Sequence, residues 1–397
     1  MRQKSTLGVA NCYKFFMKIL HTSDLHVGKK LMGRERLDEF RAVFSELERI
    51  SSDNGVELVL IAGDVFDTYT PSAEAEEVFY SGINLLSENR AVLVISGNHD
   101  DYVRLTAASV LAERRNVYIT GNNLKPINCA VRGSVYPEKS GNGWVIFANA
   151  KGERVYINAL PYPNEARFKE GRSDETFSEK IARWIACGEE GKTKNMPSVF
   201  LSHIFVAGGS VSESEREIDL GGARAVPLNL LPDCDYIALG HLHKRQKLGK
   251  NAYYSGAPMQ FSFDEAGAEK TVNVFDLTEN GVENFVQIPV NSPKKLIRLQ
   301  ANGVEDGVKL LNANPQYFVE LTLNLNVPMT PQESAAIHEH ENLVSLKTAV
   351  RTVEADYAVS NKNKSSSQLF SDYYKLRYGC DVPEELLALF LSLTEEE

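Results

Sequence analysis

The 397-residue chain is poor in paired cysteines, in long apolar runs and in positive charge, and each shortage excludes something. Its five cysteines (Cys12, Cys129, Cys187, Cys234, Cys380) lie far apart and form no C-x-x-C pair. They are expected to be unpaired thiols in a reducing cytoplasm, neither a disulfide frame nor a structural zinc site. No apolar run approaches the roughly 20 residues a membrane helix needs, so no membrane association is expected. Lysine and arginine number 43 against 53 acidic residues, a net charge of −10, which argues against coating nucleic acid by bulk electrostatics. A local basic groove, or metal ions that bring their own positive charge, stay compatible with that balance.

What is present is the composition of a globular protein, 43% hydrophobic and 24% charged, longer than one typical domain. Residues 1–16 read as an extension before the natural chain start Met17-Lys18-Ile19-Leu20, with no signal-like h-region. Ile19 and Leu20 predict a short buried strand. Phe40, Val43, Phe44, Leu47 and Ile50 recur at helical spacing, and Asp53-Asn54-Gly55 stops that helix. Near-continuous apolar strands follow at Val56–Ala62 and Ala91–Ile95, with a helix from Pro71 to Leu86 between them. From 117 to 160 short β segments with glycine-rich turns are expected, then a helix at Phe177–Cys187 and strands at Ser198–Ser202 and Asp235–Leu239. A long polar loop covers Ala207–Ala225, and hairpins between Ala252 and Gln287 are expected to complete the second sheet. The fold class is therefore α/β (α+β layered): a two-sheet β-sandwich flanked by helices over residues 17–290.

Beyond Pro293 the pattern predicts a small α+β unit over 291–357, with strands at Lys295–Leu299, Tyr317–Leu325 and Leu343–Val353. Helices are expected at Val308–Leu311 and after the Thr330 cap. A polar linker at Ser360–Ser367 opens a helical tail over 358–397, whose apolar stripes, Leu369 to Leu376 and Leu386 to Phe390, need the small domain or a partner to cover them.

Chemistry concentrates at strand ends. Asp24, His26, Asp64, Asn98, His99, His203, His241 and His243 each follow an apolar strand, and ligand sites form outside the C-terminal ends of such strands. Asp24 and His26, two apart, are expected on one face of their strand. Carboxylate, imidazole and carboxamide together suit a first-row divalent cation. With two oxygens to share, Asp64 is the natural bridge between two ions. His21 points the other way and reads as structural; His338 and His340 read as surface residues.

These stretches (D-x-H, G-D, G-N-H-D, a lone H and G-H-x-H, in order) resemble the motifs of the calcineurin-like metallophosphoesterases. More narrowly, His21-Thr22-Ser23-Asp24, Gly63-Asp64-Val65-Phe66-Asp67-Thr68, Asp235-Tyr236-Ile237-Ala238-Leu239-Gly240-His241 and Ser262-Phe263-Asp264-Glu265 resemble the SbcD-type nuclease subunits of bacteria. The resemblance implies that one ion takes Asp24, His26, Asp64 and His243, and the other Asp64, Asn98, His203 and His241. It makes His99 the catalytic histidine, with Asp100 as its orienting partner, and manganese the metal. Two cations about 3.5–4 Å apart would then hold the phosphate and acidify a bridging water. The implied activity is ATP-modulated 3′–5′ double-strand exonuclease and single-strand or hairpin endonuclease action in DNA repair and recombination. The implied partners are DNA, an SbcC-type ATPase on the C-terminal segment, and a second copy of the chain, for which the expected exposed helices near 73–86 and 102–113 are the natural contact candidates. The 291–357 unit would be a capping domain. Lys29, Lys30, Arg34, Arg36, Lys244, Arg245 and Lys247 are candidates for phosphate-backbone contact, or are solvated loop charges. A phosphodiesterase for small nucleotides, or a non-catalytic DNA-end scaffold, are the competing readings.

Overall fold

The computed structural model describes residues 16–122, 125–130, 133–168, 174–212, 224–291, 294–350 and 364–394. All but the last residue of the expected N-terminal extension, and much of the polar loop after Ala207, therefore lie outside it. The apolar strands fall where alternation is absent because both their faces are covered. β1 (Phe16–Thr22), β2 (Leu58–Ala62), β3 (Ala91–Ile95) and β4 (Val117–Thr120) run parallel, and β2 and β3 are buried at every residue. One face, through Leu20, Val59, Ile61 and Val92, meets Phe40 and Phe44 of α1 (Leu37–Asp53) and Phe79 of α2 (Ala73–Leu86). The other, through Ile19, Leu58, Leu60 and Leu93, meets a second sheet.

That second sheet has seven strands: β5 (Val135–Gly141), β6 (Trp144–Asn149), β7 (Arg154–Leu160), β8 (Ser198–His203), β9 (Tyr236–Gly240), β10 (Gln246–Leu248) and β11 (Ala252–Tyr254), in the order β10-β11-β9-β8-β7-β6-β5. Its outer face carries Phe200, Ile237 and Leu239 against Ile181, Trp184 and Ile185. Those three lie on α6 (Phe177–Cys187), behind the one-turn α5 (Glu165–Phe168); α3 (Tyr102–Thr106) and α4 (Ser109–Glu113) flank β4. One expectation is corrected. The hairpin of β12 (Thr271–Thr278) and β13 (Gly281–Pro289) joins the first sheet, not the second, because β12 pairs antiparallel with β1. The outer edge of β1 would otherwise present unpaired amides and carbonyls.

A three-stranded parallel sheet follows, β14 (Leu296–Asn302), β15 (Phe318–Leu325) and β16 (Leu343–Val350), with α7 (Val304–Ala313) and α8 (Pro331–His338) over a core of Leu311, Val319, Leu321, Leu323 and Ile337. Helix α7 is longer than expected, because its first turn is acidic and hides the apolar period. Residues 351–353 of the last expected strand lie outside the description. Leu31, Phe263, Leu296 and Phe318 cluster where this sheet meets the sandwich, and Arg34 donates to the Glu341 and Leu343 carbonyls there. The tail forms α9 (Ser366–Tyr378), capped by Ser365 and Gln368, and α10 (Glu384–Thr394). Of the expected linker, residues 360–363 lie outside the description, and Ser366 and Ser367 are already helical. The two tail helices cover part of their stripes against each other, with Phe370 stacked on Phe390 at 4.0 Å. Among the described residues, no helix is long and apolar enough to cross a membrane.

The two sheets approach closely where β9 ends. A Cβ on Gly240 would run into the Ala62 carbonyl oxygen of β2. Gly240→Ala should therefore lower stability by about 1–3 kcal/mol, as overpacked cores do, read as a fall in the denaturant midpoint. An unchanged midpoint would mean that the two sheets have slack at this seam.

Candidate metal centre

β1, β2 and β3 of one sheet and β8 and β9 of the other end at the same edge, and their following residues converge there. Strand alternation, however, does not align Asp24 and His26. β1 stops at Thr22, and both residues sit in the left-handed region, at φ 53° and 46°. Amides of Asp24, His26 and Val27 donate to the carbonyls of Gly63, Asp64 and Val65, so the loop is laced along the tip of β2. Asp64 and His241 also have positive φ, and strained backbone of this kind concentrates at functional sites.

Asp24, His26, Asp64, Asn98, His203, His241 and His243 are all buried. Potential ligand atoms lie within 4.8 Å of one another in three overlapping groups: Asp24–His26–His243, His26–Asp64–His99 and Asp24–Asp64–His203. The Asp64 carboxylate lies between them, 3.5 Å from the Nε2 atoms of both His26 and His203. Nε2 of His26 is 2.9 Å from Nε2 of His243. The Asn98 amide oxygen lies 2.8 Å from His203 Nε2 and 3.1 Å from His241 Nδ1. Nδ1 of His203 is held by the Ala62 carbonyl at 2.8 Å, which turns Nε2 inward, a common arrangement around metal-binding histidines.

The electrostatics fit a cation. Burial lifts the Asp24 carboxyl to about 7 against the pull of His203, and Asp64 adds to the rise. Burial also opposes a charge on His203, yet Asp64 and Asp24 outweigh it and carry the imidazole up to about 9. Asp64 stays well below the ordinary carboxylate range despite its burial, because His203, His99 and His26 surround it. Burial pushes His26 down to about 4 and holds His243 well below its ordinary range, so two neutral imidazoles face each other. Two buried carboxylates whose ion-pair partners are imidazoles are costly unless a cation compensates them. Two carboxylates, four imidazoles and a carboxamide fit first-row divalent ions.

His99 lies at the edge of this group, its Nε2 3.9 Å from Asp64. The expectation that Asp100 orients it is corrected. Nδ1 of His99 is 2.7 Å from the Asp67 carbonyl, whereas the Asp100 carboxylate accepts the amides of Gly97, Val65 and Phe66 at 2.8–3.1 Å. Asp100 fastens two loops together and touches no other site side chain through these bonds; burial, with help from Asp64, raises its carboxyl to about 6. Asp67 pairs with Lys29 at 3.0 Å and lies 3.6 Å from His26 Nδ1, so it steadies that ring. Ser23, which sequence reasoning passed over, donates to the Asp24 carboxylate at 2.5 Å. Of the basic residues, Arg34 holds the third sheet, and Arg36 is buried against Glu39 and the Gln260 carbonyl, so neither forms part of an open groove. His21 is a core residue, 3.0 Å from the Tyr236 hydroxyl, and His338 and His340 bond to carbonyls of α8.

Residues 17–245 match the calcineurin-like phosphoesterase family model. Over 96% of its length the chain is 34% identical to the SbcD subunit of nuclease SbcCD from Bacillus subtilis (strain 168), covering 99% of that protein. It is 25% identical to the corresponding protein from Staphylococcus epidermidis, over 90% of this chain and 93% of the relative. For Rhodobacter capsulatus the identity is 30%, over 75% of each chain.

A cation held by Asp24 and His203 would have to displace their protons. Both groups titrate above their ordinary values, so below pH 7 both hold protons that compete with the metal. Manganese affinity should climb from about pH 6 to pH 9 with net proton release, measured by calorimetry in buffers of different ionisation enthalpy. A flat affinity without proton release would show that these side chains do not bind the ion.

Proposed function

The chain belongs to the calcineurin-like phosphoesterases, and on that premise we propose that it is the DNA nuclease subunit of an SbcCD-like complex. The observation that carries this reading is Asp64, whose Oδ2 lies 3.5 Å from Nε2 of both His26 and His203. One ion would be held by Asp24, His26, Asp64 and His243, the other by Asp64, Asn98, His203 and His241. When bound, two manganese ions supply Lewis-acid charge for a phosphodiester and a water acidic enough to attack it. The protein's own contribution is positioning and proton delivery. With its Nδ1–H donated to the Asp67 carbonyl, His99 presents Nε2, and as the doubly protonated imidazolium it would hold a phosphate oxygen or give its Nε2 proton to the leaving 3′-oxygen. Asp67 with Lys29, and Ser23, steady His26 and Asp24.

We assign to it cleavage of duplex ends in the 3′–5′ direction and of single-stranded or hairpin DNA, in the cytoplasm and for repair and recombination; the relatives' description as nuclease subunits supports the nuclease part of this reading. Their similarity over nearly the whole chain supports an SbcC-type ATPase as partner. The α9–α10 pair, with Tyr373, Leu389 and Leu393 exposed, is the segment we assign to that contact. Val103, Val110 and Leu111 on α3 and α4 are exposed as well and suit a homodimer contact. We take 17–290 as the nuclease domain, 291–357 as a capping domain and 358–397 as the partner-binding tail.

With manganese, the purified chain should hydrolyse linear duplex, hairpin DNA and bis-p-nitrophenyl phosphate. His99→Ala should keep manganese binding and lose about 10²–10⁴-fold in rate, whereas Asp64→Ala should lose both. Full activity of the Asp64 variant would remove it from the centre, and loss of metal by the His99 variant would make His99 a ligand. Deleting 364–397 should abolish co-purification with an SbcC-type ATPase while leaving diester hydrolysis intact. Retained co-purification would assign the contact elsewhere.

A further inference from the structure

We propose that Arg167, which no motif marks, is a positioning residue for the Asn98–His203–His241 cation position; this rests on the metal-centre reading above. Arg167 lies on the one-turn α5, between β7 and α6, and its side chain is 7% exposed. Its guanidinium spans the loop that carries Asn98 and His99. Nη1 donates to the Gly97 carbonyl at 2.8 Å and the Ser96 hydroxyl at 3.4 Å; Nη2 donates to the Asp100 carbonyl at 2.8 Å and the Asn98 carbonyl at 3.4 Å. Among the described residues no carboxylate pairs with it. The charge rests instead on those carbonyls and on the rings of Tyr162 and Tyr102, 5.2 and 5.8 Å from Cζ.

The loop is thus gripped from two sides. Its amides at Gly97 and His99 are taken by the Asp100 and Asp64 carboxylates, and its carbonyls by Arg167. From that backbone the Asn98 amide oxygen reaches His203 Nε2 and His241 Nδ1, at 2.8 and 3.1 Å. Tyr162 extends the same support, since its ring also lies 6.2 Å from His203 and 6.5 Å from His241. None of the bonds of Arg167 reaches Asp24, His26 or His243. The support therefore falls first on one cation position and reaches the other only through the shared Asp64, which accepts the His99 amide of the same loop. A planar fork can hold the Gly97 and Asp100 carbonyls at once, whereas a lysine ammonium cannot reproduce that geometry.

The test is a manganese titration of the full chain, followed by calorimetry and by the electron paramagnetic resonance signal of a spin-coupled ion pair. Wild type should bind two ions. Arg167→Lys, chosen because it keeps a buried cation, should bind the first ion as wild type does and the second about 10–100-fold more weakly, as outer-shell changes do. The coupled signal should then fade at manganese levels that keep the single-ion signal. Arg167→Gln should show the same split, more strongly. Metal-free unfolding midpoints identify a variant that has simply lost its fold. Unchanged binding of both ions in both variants would overturn the proposal. So would equal weakening of the two ions together with a lower midpoint, which would make Arg167 a general stability residue. If wild type itself bound fewer than two ions, or if Asp64→Ala left binding intact, the metal-centre reading would fail and take this proposal with it.

Discussion

The arrangement depends on one buried carboxylate, Asp64, at the tip of β2. It is 2% exposed, takes the His99 amide at 2.8 Å and stands between two imidazoles. Burying an ionised group this deeply is expensive, so everything around it has to be arranged to offset the cost. Space is arranged as well as charge. Gly97 has no side chain because a Cβ there would occupy the position of the Asp64 carboxylate. The other motif glycines make room elsewhere at the same edge, Gly63 beside the His203 ring and Gly240 beside the Ala62 carbonyl.

Around that point the chain spends polar side chains on holding backbone. Asp100 ties the loop after β3 to the loop after β2, Arg167 holds the carbonyls of the former, and the D-x-H loop is laced to β2 by its own amides. The loop beyond His26 then runs to Leu31 and Arg34, where the third sheet docks, so a shift of that sheet has a short covalent route to His26. Fixed loops at strand ends, rather than the strands themselves, set the geometry.

Much of this was legible in the sequence, for physical reasons. Apolar runs such as Val56–Ala62 announce strands covered on both faces, and polar residues placed just after them announce the strand ends where sites form. The eight residues that met this rule do converge, with His99 at the edge. What was not legible depends on backbone conformation and on partners distant in sequence. Nothing in Asp24-Leu25-His26 reveals two left-handed residues, so alternation predicted the right neighbours for the wrong reason. The β12–β13 hairpin has the pattern of either sheet, and only the open edge of β1 decides between them. The partner of Asp100 could not be read because its acceptors serve backbone amides, which are the same for every residue type. Arg167 carries no local signal at all, since one arginine on a one-turn helix resembles any surface residue.

The most direct measurement is anomalous diffraction from crystals grown with manganese. The account predicts two peaks on either side of the Asp64 carboxylate, one among Asp24, His26 and His243 and the other among Asn98, His203 and His241. A single peak that leaves Asp64 uncoordinated, or density only at other residues, would contradict it.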